Sequence, residues 1–442
     1  MSTAGPAYGP LFEPAPKPRP PLARNHRDAE DPTGAGPSPG PHPATPAGSP
    51  TATPAEHPPG TSTWPSPRRA LPALIAFAVA RLAGLVAVTL WAHYRGGHPR
   101  DLLGLTWDGL WYHRIAGWGY GTFIPGAEAP GLRYSDLAFF PLYPMTVRTV
   151  DTVLPIGSVT AALLVAWVCA GLAAWGVFAV TDHCYGRRTA TAVVLVWALL
   201  PHAIVLSMAY TESMMCALAA WALYATLTRR WLAAGLLSAL AGLCRPNAAA
   251  VASAVVVAVL ADAWRRRRDG LPQQPRAWLA AVIAPLGWLG YVGWAGWQTE
   301  GGPGGIPGGY FALQRRWGSR YDFGRYALGY LEHLALARGP LAAYPAAAVC
   351  AAAVLLLALA VLDRMPLPLL VYSAALVAIA LGGANFFFCK PRFLLPAFPL
   401  LVPCAAALAR ARPRAAAVAV VTLAGLSLGY GAYLLTLVTV PL

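Results

Sequence analysis

Lysine is almost missing from this 442-residue chain: Lys17 and Lys390 are the only two among 33 basic residues, and charged residues of all kinds make up just 12%. So little charge beside 57% apolar residues and a mean hydropathy of +0.50 excludes an ordinary soluble domain and fits a polytopic membrane protein. The seven cysteines fall singly, with no C-x-x-C spacing, so neither a zinc cluster nor a disulfide framework is expected. They read as small core residues. No G-x-G-x-x-G run marks a nucleotide-binding domain, and no D-x-D pair marks a metal site. The net charge of +15 is almost wholly arginine, in a chain also rich in alanine, glycine and proline; this composition bias gives no reason to expect nucleic acid as a partner. No resident cofactor is expected.

Residues 1 to about 70 hold nearly half of the 43 prolines, mixed with Gly, Ser, Thr and Ala, and few large apolar residues. Such a segment cannot bury enough apolar surface to offset its ordering entropy, and it reads as a disordered cytoplasmic tail. It lacks an apolar h-region near its start, so the first hydrophobic span is expected to act as the membrane signal.

From Leu71 to the end the chain reads as one all-α, polytopic transmembrane helix bundle. Apolar runs near 71–93, 158–181, 189–208, 212–228, 231–245, 247–264, 277–298, 341–362, 366–384, 393–410 and 415–438 predict about eleven spans. The run from Leu137 to Pro155 is broken by Pro141, Pro144, Arg148 and Asp151 and is expected to be an outer-side or re-entrant helix. With that run not crossing, Arg68 and Arg69, Arg187 and Arg188, Arg229 and Arg230, Arg265 to Arg268, Arg364, and Arg410 to Arg414 fall on one side. By the positive-inside rule that side is cytoplasmic. The outer side then collects the loops at about 94–157, 298–340 and 385–392, together with the turns at Met208 to Ser213 and Cys244 to Asn247.

Nearly every distinctive polar group lies on that outer side. The stretch T-W-D-G-L-W-Y-H-R-I-A-G-W-G-Y, from Thr106 to Tyr120, sets Asp108 among aromatics just after the first span. Read at helical spacing, Trp107, Trp111, Ile115 and Trp118 share a face beside that acid. Further on stand Asp136, Glu212, Arg245, Lys390 and Arg392, each within or next to a span, where ionisable groups are costly and often functional. Bland readings stand beside these: Asp136 as a helix N-cap, and Thr211 with Glu212 as cap and first-turn acid. Arg245 needs an anionic partner, which Glu212 or a lipid phosphate would supply. Gln314 and Trp317, in Y-F-A-L-Q-R-R-W, fit sugar stacking or headgroup contact equally. Arg81, in mid-span, pairs inside the bundle or snorkels.

The strings W-D-G-L-W-Y-H-R-I-A-G-W-G-Y, L-A-F-F-P-L-Y-P, Y-T-E-S, C-R-P-N and K-P-R-F-L-L-P-A-F-P-L, in this order, resemble the PIG-V family of GT-C mannosyltransferases, in its actinobacterial branch. The resemblance covers about residues 71 to 410. It implies a donor that is a polyprenyl-phosphate mannose and an active site facing away from the cytoplasm at the cell membrane; the acceptor, a glycan, lipid or protein, is not inherited from the family. It carries the catalytic acid of the first outer loop to Asp108, with Asp136 and Glu212 as the other candidate acids. Arg245, Lys390 and Arg392 are the candidates for the donor phosphate, and Trp107, Trp111, Tyr112, Arg133, Tyr210, Asn247, Gln314 and Trp317 for the rest of the substrate. Where eukaryotic relatives tend to show R-S-N-G, this chain has Arg245, Pro246, Asn247, Ala248, which leaves the role of Asn247 open. A multi-span transporter or a lipid-linked glycan flippase is the rival reading, although no internal repeat or paired mid-span charges speak for it.

Overall fold

The computed structural model describes residues 64–125, 133–299, 305–337 and 339–437. These form an all-α bundle with one short antiparallel hairpin, Phe123–Pro125 paired to Arg133–Ser135. The expected disordered tail lies outside the described residues as far as 63. The first helix, Pro67–Tyr94, starts slightly before the apolar run does, because a proline in the first turn lacks only an N–H that would have no helical partner. Just ahead of it, Trp64 packs edge-on against Trp221, with the Arg230 guanidinium 4.3 Å above its ring.

All eleven apolar runs are helical, yet they differ in kind. Among the described residues, six helices are long and apolar enough to cross a membrane: Pro67–Tyr94, Ser158–Tyr185, Pro246–Arg268, Pro275–Gln298, Ala343–Leu362 and Pro413–Thr436. The pair Phe387–Leu394 and Phe398–Arg410, bent by 81°, makes a seventh if it is one broken span. Glu212–Leu227, Trp231–Gly242 and Leu367–Gly382 are shorter, and the run at 189–208 divides into Arg187–Ala198 and the 3-10 turn Ala203–Ser207. The count of about eleven is therefore not reached by helix length. A helix of 16 residues rises roughly 24 Å, short of a hydrocarbon core of about 30 Å. Glu212–Leu227 is apolar for another reason: it is buried along most of its length, packed between Ser158–Tyr185 and Trp231–Gly242.

Arg81 is buried and pairs inside the bundle. Its guanidinium donates to the carbonyls of Ala198 and Ala203, on either side of the break that divides the run at 189–208. A helix broken at this depth has carbonyls without helical partners, and a cation among them satisfies both parties. The segment after Pro141 forms the helix Leu142–Val153, with one face against Ser158–Tyr185, and is too short to span.

The long connection after Gln298 contains two helices, Gly305–Arg316 and Arg325–Leu336. The first lies tight against Leu286–Gln298, where a Cβ on Gly309 would stand 2.7 Å from the Gly296 carbonyl oxygen. Between the two helices the chain crosses to residues 382–385. The Ala384 amide donates to the Arg320 carbonyl at 2.7 Å, the Asp322 amide to that of Gly382 at 2.9 Å, and the Asn385 side chain to that of Gly318 at 2.5 Å. This connection is thus strapped to the start of the bent pair.

Candidate active site

Asp108 is the first residue of the helix Asp108–Trp118, where the helix dipole favours a negative charge. The residue before it, Trp107, has φ of 51°, a conformation that side chains rarely adopt, that costs about 1–3 kcal/mol and that persists only where the surroundings enforce it. The surroundings are close. A Cβ on Gly109 would lie 2.6 Å from the Gly104 carbonyl oxygen, so the helix start presses on the short helix Pro99–Gly104. The Tyr210 hydroxyl donates to the Thr106 carbonyl at 3.2 Å, and the Ala209 amide to that of Leu103 at 2.8 Å. The turn that aims Asp108 is thereby fastened to the segment leading into Glu212.

Four charged side chains meet here from four places in the chain. Arg392 reaches Asp108 at 2.9 Å and Glu212 at 3.0 Å, and Glu212 also pairs with Arg245. Arg245 donates to the Thr211 hydroxyl at 3.1 Å, which lies 3.3 Å from the Tyr112 hydroxyl. Both guanidinium groups stand over the Phe393 ring, at 5.5 Å and 5.1 Å, and Arg392 also over Tyr210 at 5.1 Å. Side-chain exposure separates the members: 2% for Glu212, 5% for Arg392 and 9% for Arg245, against 24% for Asp108. The buried three make a fixed, charge-assisted frame. Asp108 is its partly open end.

Beside the frame stands an aromatic wall. Trp111 stacks on Phe139 at 5.5 Å and meets Trp317 edge-on at 5.1 Å, while Trp317 tilts against Tyr134 at 4.6 Å. Trp317 donates its indole N–H to the Ser135 carbonyl at 3.1 Å, and Gln314 its amide to that of Ala138 at 3.3 Å. These two residues therefore hold the connection after Gln298 onto the loop that follows the hairpin. Trp118, assigned by spacing to the same face as Trp111, is instead 73% exposed.

Asp136 is buried on this loop, apart from the frame. One carboxylate oxygen accepts from the Gly121 and Thr122 amides at 2.9 and 2.8 Å, the other has no hydrogen-bond partner, and the N-cap role falls to Ser135. Burial pushes its carboxyl above the ordinary carboxylate range, against the pull of those amides. An acid whose folded value is raised gives its full contribution to stability below its unfolded pKa and loses it as pH rises through the folded one. Comparing thermal midpoints of wild type and Asp136→Asn between about pH 4 and pH 8 should show the balance moving toward the asparagine variant as pH rises. A pH-independent gap would refute this.

Other expected site residues are placed as follows. Lys390, although only two residues from Arg392, directs its ammonium away from the frame, to the carbonyls of Ala380 at 2.9 Å and Gly383 at 2.6 Å. Asn247 is buried after Arg245, its side-chain oxygen Oδ1 without a hydrogen-bond partner. The Arg133 side chain lies outside the described part of the structure. Thr211 uses its hydroxyl on Arg245 and not as a helix cap. Sequence reasoning passed over Phe393, whose position next to Arg392 was its only signal, and His202, buried with neither ring nitrogen bonded. Among the described residues, no three His, Cys, Asp or Glu side chains converge to hold a metal.

No curated protein matches this chain. Solved structures of the oligosaccharyltransferase from Archaeoglobus fulgidus resemble it faintly. The apo form is 14% identical with a TM-score of 0.45, covering 82% of this chain and 55% of that one. The form tethered to an acceptor peptide with the NVT sequon is 13% identical at 0.44, covering 82% and 54%. The complex with an inhibitory peptide and dolichol-phosphate is 14% identical at 0.40, covering 82% and 55%. This chain thus spans about half the length of the structures it matches. Residues 141–294, which carry Glu212 and Arg245, match the family described as dolichyl-phosphate-mannose-protein mannosyltransferase. The chain is a polytopic, all-α membrane protein whose central part is similar to a family of glycosyltransferases.

Proposed function

We propose that the chain is a membrane glycosyltransferase of the GT-C type, moving mannose from a polyprenyl-phosphate donor to an acceptor hydroxyl on the extracytoplasmic side. The observation that carries this reading is the partly open Asp108 carboxylate held against the buried Arg392, which Glu212 and Arg245 brace from behind. The five motifs that resemble the PIG-V family and the mannosyltransferase match over residues 141–294 support it.

The geometry suits direct displacement with inversion. The acceptor oxygen attacks the anomeric carbon, its proton passes to Asp108, and the bond from that carbon to the phosphate oxygen breaks. The polyprenyl phosphate leaves with the bonding electrons. A phosphate leaving group is a weak base, so it needs no general acid; cations that are already in place stabilise its developing charge. Arg392 is the nearest such cation, with Arg245 behind it. In the structure Arg392 is occupied by Asp108, and the four charges of the frame sum to zero. An arriving phosphate would take over Arg392 and release Asp108, so donor binding would free the base. Of the aromatic candidates, Trp107 and Trp317 are half-buried and supply ring surface on which a sugar can stack, whereas Trp111, Tyr112 and Tyr210 are buried.

The deciding experiment incubates membranes containing the protein with radiolabelled polyprenyl-phosphate mannose and looks for labelled product. Transfer of label to a glycan, lipid or protein supports the reading and identifies the acceptor. Label that only changes leaflet, with the donor intact, would favour the flippase reading instead.

A further inference from the structure

Lys390 is one of two lysines in the chain, and it is 2% exposed. Burying an ammonium without compensation is costly, so its partners show what it is for. They are the Ala380 carbonyl, in the last turn of Leu367–Gly382, and the Gly383 carbonyl just beyond it. Two structures depend on this spot. On one side, residues 382–384 receive the strap from the connection after Gln298: Tyr321 bridges to Gly383, Asp322 bonds Gly382 and Ala384 bonds Arg320. On the other side, Lys390 opens the helix Lys390–Leu394, which carries Arg392 into the charged frame. The backbone between them passes through Asn385 and Phe386, both at positive φ (59° and 48°), a route that needs holding at both ends.

We propose that Lys390 is a positioning residue that joins the seating of the strap to the placement of Arg392. Its ammonium fixes the Arg392 helix to the turn on which the strap docks. The strap in turn carries Gln314 and Trp317 onto the loop that walls the site. A strap out of place and an Arg392 out of place are then one event. The catalytic part of this inference rests on the assignment of Arg392 to the donor phosphate; the mechanical part does not.

The test uses the full-length protein in detergent or nanodiscs and compares Lys390→Met, which keeps the length and loses the charge, with Lys390→Arg and with Asp108→Asn. Hydrogen–deuterium exchange is followed over residues 318–325 and 380–386. Lys390→Met should speed exchange in both segments together, Lys390→Arg should recover part of the protection, and Asp108→Asn should leave both unchanged. In the transfer assay Lys390→Met should lower kcat by about 10²-fold, the scale of a misplaced catalytic group. Unchanged exchange in Lys390→Met overturns the proposal, and lost transfer with unchanged exchange would make Lys390 a direct substrate contact. Exchange that rises in both segments while wild type transfers no sugar would uphold the latch and refute the glycosyltransferase reading. Exchange that rises throughout the chain marks a misfolded variant; Asn385→Gly, which suits the positive φ there and deletes only the strap's side-chain bond to Gly318, then decides: faster exchange in both segments together upholds the coupling, and any other pattern overturns it.

Discussion

Asp108→Asn is expected to abolish sugar transfer in a protein that remains folded, with a loss of about 10²- to 10⁴-fold, the contribution of a positioned general base. Asparagine is nearly isosteric and keeps an oxygen for the Arg392 guanidinium, which stands 2.9 Å away, but it cannot take the acceptor proton. The loss should therefore appear in kcat, while donor binding is unchanged or tightened because Arg392 no longer has a carboxylate partner to exchange. The measurement is transfer from a labelled polyprenyl-phosphate sugar alongside donor binding in the same preparation. Retained transfer would move the base to Asp136 or Glu212, and Asp136 already has one oxygen committed to two backbone amides.

The second large effect belongs to Glu212. This carboxylate is buried and faces two guanidinium groups, so Glu212→Gln leaves buried positive charge without its counter-ion. Removing one partner of a buried pair costs about 3–5 kcal/mol. The thermal midpoint should fall accordingly, and the transfer rate with it, since Arg392 loses its brace. The double variant Glu212→Gln with Arg245→Met should recover part of the lost stability, because it restores the charge balance. A single variant as stable as wild type would show that the frame does not depend on this carboxylate.

Much of this organisation was legible before the structure. Run length and apolar content located the helices of the bundle, though not Pro99–Gly104, Gly305–Arg316 or Arg325–Leu336 in the long connections, and the clustering of polar motifs on one side of the proposed spans brought Asp108, Glu212, Arg245 and Arg392 together. Span number was less legible, since hydropathy reports apolar surroundings and does not distinguish lipid from the interior of a bundle. Glu212–Leu227 is apolar because protein surrounds it. The aim of individual side chains was hidden for a different reason. Lys390 and Arg392 are neighbours of like charge in the sequence, yet one grips carbonyls ten and seven residues behind it while the other crosses to Asp108. Charge is visible in a sequence, but the carbonyl oxygens left unpaired by a helix end are not. Asp136 was likewise separated from Asp108 only by knowing which amides the hairpin turned toward it.

The left-handed backbone at Trp107 and at Phe386 marks the approach to each half of the Asp108–Arg392 pair. Glycine would sit more comfortably at both positions. A selection for heat resistance alone would tend to accept it there, and would slacken the two anchor points from which the carboxylate and the guanidinium are aimed. Hardening the scaffold and keeping the Asp108–Arg392 pair aimed would then pull those two codons in opposite directions.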